Sequence, residues 1–352
     1  MVETKLTEHS CSLEKKVAFL KQINAYSFPV QRVETKETHM SWIFLVDNFV
    51  YKLKKNNCYL LLDLRTLESR YFNCLEEVRL NKRLAPEIYL GVIALCIEKN
   101  GELKLEGKGE IIDWLVKMKR IPEEDMLDQV IKKKKLTKET ISTAANLLVN
   151  FYKQSPPIEM NAAQFKEKLK QEIDIIYKEL TDPFFRLPKI TIDQINESLV
   201  TFLKENAAVF NKRIIEGRVI EAHGDLKPEH ICIGTHPAII DCLEFSRDLR
   251  LLDSAEELSF LDIECERLGD ITTGKIFFDI YREEMGNQIP EALISFYKAK
   301  RAFLRTYLVI RHIKEPHYKD DPKWINTANI YLTLSEKYCK QLEAKHKVLA
   351  IV

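Results

Sequence analysis

The most informative stretch of this sequence is HGDLKPEHICI, residues 223–233, which is followed by the apolar run AIID, residues 238–241. Two aspartates, Asp225 and Asp241, stand on either side of residues with strand character. A short hairpin between them is expected to bring both carboxylates to one edge. There, one carboxylate can orient a hydroxyl group and the other can hold Mg2+, which prefers oxygen ligands. The pattern therefore predicts a carboxylate pair suited to phosphoryl transfer.

The same segment resembles the catalytic loop of the aminoglycoside phosphotransferase and choline kinase branch of the protein-kinase-like fold, in which HGDL precedes a strand and then Ile-Asp. A longer stretch, residues 239–269, is similar to uncharacterised bacterial proteins grouped with these phosphotransferases. The resemblance implies ATP and Mg2+ as cofactors and a hydroxyl of an unidentified small molecule as the acceptor. Some of those relatives carry a P-loop domain behind the kinase-like one, whereas this chain contains no GxxxxGK[ST] motif.

The resemblance also implies roles for individual residues of this segment. Asp225 corresponds to the catalytic base and Asp241 to the Mg2+-binding aspartate. His230 stands where the family usually has a second metal-binding Asn, so it either contacts the metal or hydrogen-bonds Asp225 or a phosphate. Lys227 either neutralises charge on the transferred group or is a solvated loop lysine. His223 is expected to be structural.

A second region of resemblance lies in the first third of the chain. The residues VYKL, 50–53, resemble the strand element whose lysine binds the α and β phosphates of ATP, which makes Lys52 the candidate. Lys54 points to the same side of the strand and Lys55 is adjacent, so both remain alternatives. The expected carboxylate partner is Glu77, in the helix that follows.

Two further parts of a nucleotide site are less clearly marked. Residues 33–42, at the position of the phosphate-covering loop, contain no glycine. In one interpretation, backbone amides or hydroxyls of residues 38–41 contact phosphate, with Ser41 as the candidate. In the other, the stretch is a plain hairpin loop. Val116 and Met118 are expected either to present backbone groups to adenine or to be ordinary core residues.

Hydrophobic periodicity divides the chain into a β-rich and a helical part. The predicted elements before Pro122 are a hairpin over 41–53, a helix over 67–84 and strands over 89–98, 101–105 and 111–118. The predicted helices after it cover 123–134, 137–154, 162–180, 193–214, 253–268, 275–285, 290–313 and 324–345, with short strands only within 219–241. This order predicts an α+β, two-lobed, protein-kinase-like fold with a small β-rich N-lobe, residues 1–118, a mainly helical C-lobe, residues 119–352, and a cleft between them.

Composition narrows the class of partner. The 54 Lys+Arg and 53 Asp+Glu residues give a net charge of +1, so no nucleic-acid partner is expected. The eight cysteines form no CxxC pair, which fits reduced thiols. The start of the chain, MVETKLTEHSCSLEKK, lacks the apolar core of a secretory signal, and no apolar run reaches membrane-spanning length. We therefore expect a cytoplasmic protein without a membrane partner.

The stretch 253–268 is crowded with acidic residues. Asp253 is expected to cap a helix here. The other carboxylates either face a cationic acceptor or form a solvated helix face balanced by arginines, and the solvated face is favoured. The carboxylates are Glu256, Glu257, Asp262, Glu264 and Glu266, and the arginines are Arg247, Arg250 and Arg267.

Three functions fit this sequence. The preferred one is a small-molecule kinase that positions an acceptor hydroxyl against the γ-phosphate of ATP. The second is a nucleotide sensor that binds without turnover, suggested by His230 and the missing glycines. The third keeps the fold but transfers a nucleotidyl group to a protein.

Overall fold

The computed structural model describes residues 11–59, 62–286, 288–319 and 321–349. The first ten residues, on which the export prediction largely depends, lie outside these ranges. The chain forms two compact units. Unit 1 comprises the residues up to Glu123 together with Ala238–Arg247, and unit 2 comprises Glu124–Pro237 and the residues from Asp248 onward. The single boundary expected at residue 118 differs from this division, because a later segment of the chain belongs to unit 1.

Unit 1 is built on an antiparallel sheet. The strands before residue 123 are β1 (Val33–Glu37), β2 (Ser41–Val46), β3 (Phe49–Lys54), β4 (Cys58–Tyr59), β5 (Leu62–Asp63), β6 (Tyr89–Ile97), β7 (Leu103–Leu105) and β8 (Glu110–Lys119). Six of them form one sheet in the order β1-β2-β3-β8-β6-β7, and β4 pairs with β5. β8 is thus a central strand, paired on both sides.

The predicted hairpin is confirmed. Val46 is paired with Phe49, and the two residues between them make the turn, where Asp47 has a φ of 45°. Asp is among the residues that tolerate this left-handed conformation. The loop interpretation of residues 33–42 is wrong for its first half, since Val33–Glu37 is β1. Its polar sequence, VETKE, hid the strand because an edge strand needs no buried side chains on both faces.

Two helices flank the sheet of unit 1. They are α1 (Leu13–Leu20) and α2 (Leu67–Asn81). Buried side chains of α1, including Val17 and Leu20, join a core cluster with Phe44 of β2 and Leu53 of β3. α2 begins at the cap Thr66, whose side chain accepts a hydrogen bond from the Ser69 N–H. The helix predicted at this place is therefore present.

Unit 2 is mainly helical. Its helices are α3 (Leu127–Lys132), α4 (Lys138–Gln154), α5 (Ala162–Leu180), α6 (Lys189–Glu205), α7 (Ala207–Ile215), α8 (Ser254–Arg267), α9 (Thr273–Met285), α10 (Glu291–Ile310) and α11 (Pro322–Leu349). The later strands of the chain are β9 (Val219–Glu221), β10 (Ile231–Cys232), β11 (Ala238–Ile239), which belongs to unit 1, and β12 (Leu251–Asp253). β9 and β12 pair in antiparallel fashion. Among the described residues, no helix is both long and apolar enough to cross a bilayer.

The helix predicted over 193–214 is two helices. Asn206 interrupts it, with φ −110° and ψ 37°, and its side-chain amide donates to the carbonyl of Phe202. Asn side chains compete in this way with the hydrogen bonds of a helix. The break is therefore local in origin, and the sequence pattern missed it because apolar residues continue across it.

The expectation of a solvated acidic face on α8 is wrong. Asp253 caps the helix as predicted, accepting from the Ala255 N–H at 2.8 Å, but all residues from Ser254 to Cys265 are buried. Buried carboxylates need partners, and here each has one. Glu256 is bound by Lys300 and Arg301, Glu257 by the Tyr152 hydroxyl and the Gly224 N–H, Asp262 by Lys298, and Glu264 by Arg267 and the Tyr331 hydroxyl. Most of these partners come from other helices, which periodicity cannot reveal.

Candidate functional site

Lys52 and Glu77 form the ion pair that the sequence spacing suggested. The lysine lies in β3 and the glutamate in α2, and the distance from Nζ to Oε1 is 3.0 Å. α2 packs against β8, the strand next to β3, and this packing positions the glutamate beside the lysine. The Glu77 side chain is almost completely buried. Since a buried carboxylate requires a cation, the pair fixes the direction of the Lys52 side chain.

The segment of unit 1 that follows β11 brings Asp241 to the same lysine. Its Oδ1 lies 2.9 Å from Lys52 Nζ, and its side chain is 45% exposed. Asp241 has a φ of 60°, a conformation that is rare for non-glycine residues and is often found at functional sites. The carboxylate is therefore held by Lys52 while part of it remains open to solvent.

Two hydrogen bonds fix the backbone around Asp241. The Asp241 N–H donates to the Tyr89 hydroxyl at 3.1 Å, and the Cys242 N–H donates to the side-chain oxygen of Asn81 at 2.9 Å. Asn81 in turn donates to the backbone carbonyl of Glu77, one turn earlier in α2. The same helix thus places both carboxylates that contact Lys52. Sequence reasoning missed Asn81, although its position four residues after Glu77 was a signal.

The three neighbouring lysines of β3 and its end have different environments. Lys54 is completely buried and is bound by Glu77 and by Glu244, with 2.6 Å to the latter. Lys55 pairs with the exposed Glu37. Of the trio, Lys52 is the lysine paired with Asp241, and its role in binding phosphate stays a prediction.

Neighbouring charges, rather than burial, decide the protonation states of Lys52 and Glu77. Burial favours the neutral amine of Lys52, but Asp241, Glu77 and Glu244 outweigh it and raise its pKa well above the ordinary value. Burial likewise acts to raise the pKa of Glu77, yet Lys52 and Lys54 lower it overall. Lys52 and Glu77 are therefore both charged at neutral pH, and the amine of Lys52 offers a permanent positive charge.

The local structure bears on three of the predicted nucleotide contacts, at Ser41, Val116 and Met118. Ser41 is fully buried at the start of β2, and its N–H is bound by the Thr38 hydroxyl at 3.0 Å. Its buried hydroxyl has no hydrogen-bond partner among the described residues, so of its two groups the hydroxyl is the one left for the predicted phosphate contact. Val116 and Met118 lie in β8, where each is paired with β3 on one side and with β6 on the other. Their backbone groups serve the sheet, which argues against their binding adenine.

In unit 2, a buried carboxylate holds the loop that carries Asp225. Glu257 of α8 accepts from the Gly224 N–H at 2.7 Å and from the Tyr152 hydroxyl at 2.8 Å. Gly224 has a φ of 88°, which a residue with a Cβ rarely adopts. His223 is completely buried, in line with a structural role. The sequence offered no signal for Glu257, because it lies on a distant helix.

Asp225 is surrounded by cationic groups of its own loop. Lys227 Nζ lies 2.9 Å from its Oδ2, and Nδ1 of His230 donates to its backbone carbonyl at 2.9 Å. The distance from His230 Nδ1 to the carboxylate is 3.8 Å. Of the two roles open to His230, the structure shows the hydrogen bond to Asp225. The Asp225 side chain is 29% exposed, so one face remains open to a ligand.

We expect the carboxyl of Asp225 to titrate below its ordinary pKa of 3.8. Burial opposes ionisation, but Lys227, His230 and Arg305 outweigh it and lower the pKa. The stabilisation from this lowering is present above the unfolded pKa and is lost as the pH falls through the folded one. Carbon-13 NMR of the carboxyl should show this midpoint, and Lys227→Met should raise it.

The exposed Lys212 provides the control for this titration, since Lys212→Met removes a charge elsewhere on unit 2. A midpoint above 3.8, or one that Lys227→Met leaves unchanged, would contradict the assigned electrostatics.

No family model matches the chain. An uncharacterized protein of Mycobacterium tuberculosis is 26% identical over 283 residues, which cover 78% of this chain and 54% of the relative. The chain thus spans about half the length of the curated relatives it matches.

Two solved structures resemble the chain over most of its length. A choline/ethanolamine kinase family protein from Mesorhizobium loti superposes with a TM-score of 0.55 and 14% identity, covering 94% of each chain. A thermostable mutant of the aminoglycoside phosphotransferase APH(4)-Ia superposes with a TM-score of 0.50 and 10% identity, covering 87% of this chain and 95% of the other. At such identities the likeness concerns the fold. The chain has the protein-kinase-like fold of choline kinases and aminoglycoside phosphotransferases, and the predicted α+β fold class is confirmed.

Proposed function

We propose that the chain is an ATP- and Mg2+-dependent phosphotransferase that acts on a hydroxyl group of a small-molecule acceptor. The observation that carries the proposal is the arrangement in unit 1, where Lys52 Nζ lies 3.0 Å from Glu77 and 2.9 Å from Asp241. A strand lysine oriented by a helical glutamate, with a metal-binding aspartate, is what kinase-fold enzymes use to hold the phosphates of ATP. The kinase-like fold supports the same assignment.

The chemistry of Asp241 fits Mg2+. The ion prefers carboxylate oxygens, keeps several waters and usually binds through one or two carboxylates together with substrate phosphates. A half-exposed aspartate meets this need. Groups of three or more potential ligands that could hold a metal do not occur among the described residues, and a site of this kind requires none. When bound, Mg2+ neutralises charge on the phosphates. Lys52 adds its positive charge while Glu77 keeps it oriented.

Asp225 directs the acceptor in this proposal. The acceptor oxygen forms a bond to the γ-phosphorus, the bond from that phosphorus to the β–γ bridging oxygen breaks, and ADP leaves. The acceptor proton passes to Asp225. Because the pKa of Asp225 is lowered, it is a weak base, and its contribution is mainly to orient the hydroxyl. This suits a loose transition state, in which the nucleophile loses its proton late. The proposal assigns to Lys227 the neutralisation of charge on the transferred group.

Asp241→Ala tests the proposal directly. We expect the affinity for ATP in the presence of Mg2+ to fall by roughly 10- to 100-fold, as one charge-assisted ligand is worth about 1.5–3 kcal/mol. Titration calorimetry with and without Mg2+ and an ATP hydrolysis assay provide the measurements. Asp279→Ala, which removes a half-exposed aspartate from α9, is the matched control. Nucleotide binding that is unaffected by Asp241→Ala or by Mg2+ would refute the assignment.

Other outcomes discriminate between the alternative functions. Metal-dependent binding without hydrolysis or transfer would favour a nucleotide sensor. Mass spectrometry of the reaction products separates the two enzyme hypotheses, because a protein that gains a nucleotidyl mass indicates nucleotidyl transfer instead. The absence of any nucleotide binding would rule out all three functions.

A further inference from the structure

The carboxylates that one interpretation of the sequence assigned to a cationic acceptor already have partners within the protein. Along α8, the described acidic side chains are bound by lysine, arginine, tyrosine or backbone donors of unit 2. Beyond the contacts given above, Glu266 is bound by Lys337 and by the Tyr338 hydroxyl. A paired, buried carboxylate contributes little field to a ligand. The described part of α8 therefore presents no unpaired acidic surface to a cationic ligand.

Arg305 of α10 is more exposed than Arg301, the other arginine of this helix that lies over the Phe260 ring. Its guanidinium lies over the ring of Tyr331 at 5.4 Å and over that of Phe260 at 5.9 Å, which fixes its position. Its Nε is buried, lies 3.7 Å from Glu264, too far for a hydrogen bond, and has no hydrogen-bond partner among the described residues, so a ligand would meet the outer nitrogens of the guanidinium. The Arg305 side chain is 24% exposed. It is thus a positioned cation whose bonding capacity is only partly used.

Glu264 accepts no hydrogen bond from the Nε of this arginine, and other donors already bind both of its oxygens. The Tyr331 hydroxyl donates to one at 2.6 Å, and Arg267 donates to the other at 2.9 Å. Arg267 also donates to Glu229, in the loop that carries Asp225, at 3.1 Å. A continuous series of contacts therefore joins Arg305 to this loop. The charge of Arg305 also contributes to the lowered pKa of Asp225.

We propose that the hydroxyl acceptor carries an anionic group, a phosphate or a carboxylate, and that Arg305 binds this group. The inference rests on the proposed phosphotransferase function and names the class of its acceptor. Guanidinium forms two parallel hydrogen bonds to either anion, and its planar shape is preorganised for them. The two rings that hold Arg305 reduce the entropy lost on binding. The acceptor hydroxyl of the same molecule is then presented to Asp225.

The test is a binding comparison among small hydroxyl compounds of different charge. Calorimetry measures the binding of glycerol, choline, glycerol 3-phosphate and glycerate to protein saturated with Mg2+ and AMP-PNP. Under these conditions the phosphate subsites for the nucleotide are already occupied. We expect saturable binding of at least one of the two anions, tighter than that of glycerol or choline by about tenfold or more. Which anion binds distinguishes a phosphate from a carboxylate ligand.

Variants of Arg305 connect this preference to the residue. Arg305→Met should lower the affinity for the anion by roughly 10- to 100-fold. Arg305→Lys keeps the charge but loses the planar guanidinium, so its affinity for the anion should lie between those of the wild type and Arg305→Met. Arg282→Met is a matched control, since Arg282 also lies over an aromatic ring, Phe278, and belongs to α9. Melting temperature and AMP-PNP affinity of each variant report on folding.

The failure of this inference is distinguishable from the failure of the proposed function. If AMP-PNP does not bind or ATP is not hydrolysed, the phosphotransferase proposal fails and the acceptor class fails with it. If nucleotide binding and hydrolysis are intact, three results overturn the acceptor class alone. They are tighter binding of choline than of either anion, the absence of saturable anion binding, and anion affinity that Arg305→Met leaves unchanged.

Discussion

Replacement of Asp225 by asparagine is expected to lower the rate of phosphoryl transfer by roughly 10²- to 10⁴-fold, because the variant can neither orient the acceptor hydroxyl in the same way nor take its proton. Asparagine has nearly the same shape, so the loop held by Glu257 should remain folded. It cannot accept the proton of the acceptor, and it also removes the negative charge that Lys227 contacts at 2.9 Å. Nucleotide affinity should change little, since the proposed nucleotide contacts Lys52 and Asp241 belong to unit 1.

Single-turnover measurements with ATP separate this loss from a binding defect. The rate of γ-phosphate release or transfer should fall, whereas the concentration of ATP for half-saturation should not. Asp279→Asn serves as the control for the change of carboxylate to amide on unit 2. If Asp225→Asn retains the wild-type rate, the role assigned to Asp225 is wrong.

The largest effect on stability is expected at Lys54. This lysine has no exposed side-chain surface and is bound by Glu77 and Glu244. Lys54→Met leaves both carboxylates with less compensation in a buried place, and removing one partner of a buried pair costs about 3–5 kcal/mol. Lys52 still contacts Glu77, which limits the loss at that residue. We therefore expect the free energy of unfolding of unit 1, measured with urea, to fall by this amount.

Lys55→Met is a closely matched control, because this lysine directly follows Lys54 and pairs with the exposed Glu37. Its removal should cost about 0–1 kcal/mol. A double-mutant cycle of Lys54→Met with Glu244→Gln should give a coupling energy of about 1 kcal/mol or more. Equal losses for the two lysines, or additive effects in the cycle, would show that the buried pair does not anchor the Asp241 segment.

Local patterns in the sequence were enough for the main elements of unit 1. The Asp47 turn and the alternation around it predicted the hairpin, because turn conformation and strand burial depend on residues close in sequence. The spacing from Lys52 to Glu77 predicted an ion pair that is present. The HGDL motif and the following Ile-Asp indicated the kinase-like fold, which the comparisons confirm. Each of these features depends on residues at a short or fixed spacing in the sequence, or on a motif.

Other features depend on residues far apart in the chain. The acidic residues of α8 have the sequence pattern of a solvated helix, yet most of them are buried, since α10 supplies opposite charges to Glu256 and Asp262 and α11 supplies a tyrosine hydroxyl to Glu264. Val116 and Met118 were ambiguous until the sheet order placed β8 at its centre. Lys54 and Lys52 were indistinguishable by alternation along β3. Periodicity reports whether a side chain has a preferred face, and it carries no information about the partner on that face.

The sequence by itself determined the fold class, the positions of the two key aspartates, Asp225 and Asp241, and Glu77 as a carboxylate partner for the lysines of β3, since each rests on a motif or on local spacing. Tertiary structure alone decided which lysine meets Asp241, how Asn81 and Glu257 fix the two loops, and that Arg305 is a positioned cation with an unused donor. The physical reason is that the charge and burial of a side chain depend on its neighbours in space, and folding brings most of these neighbours from distant parts of the chain.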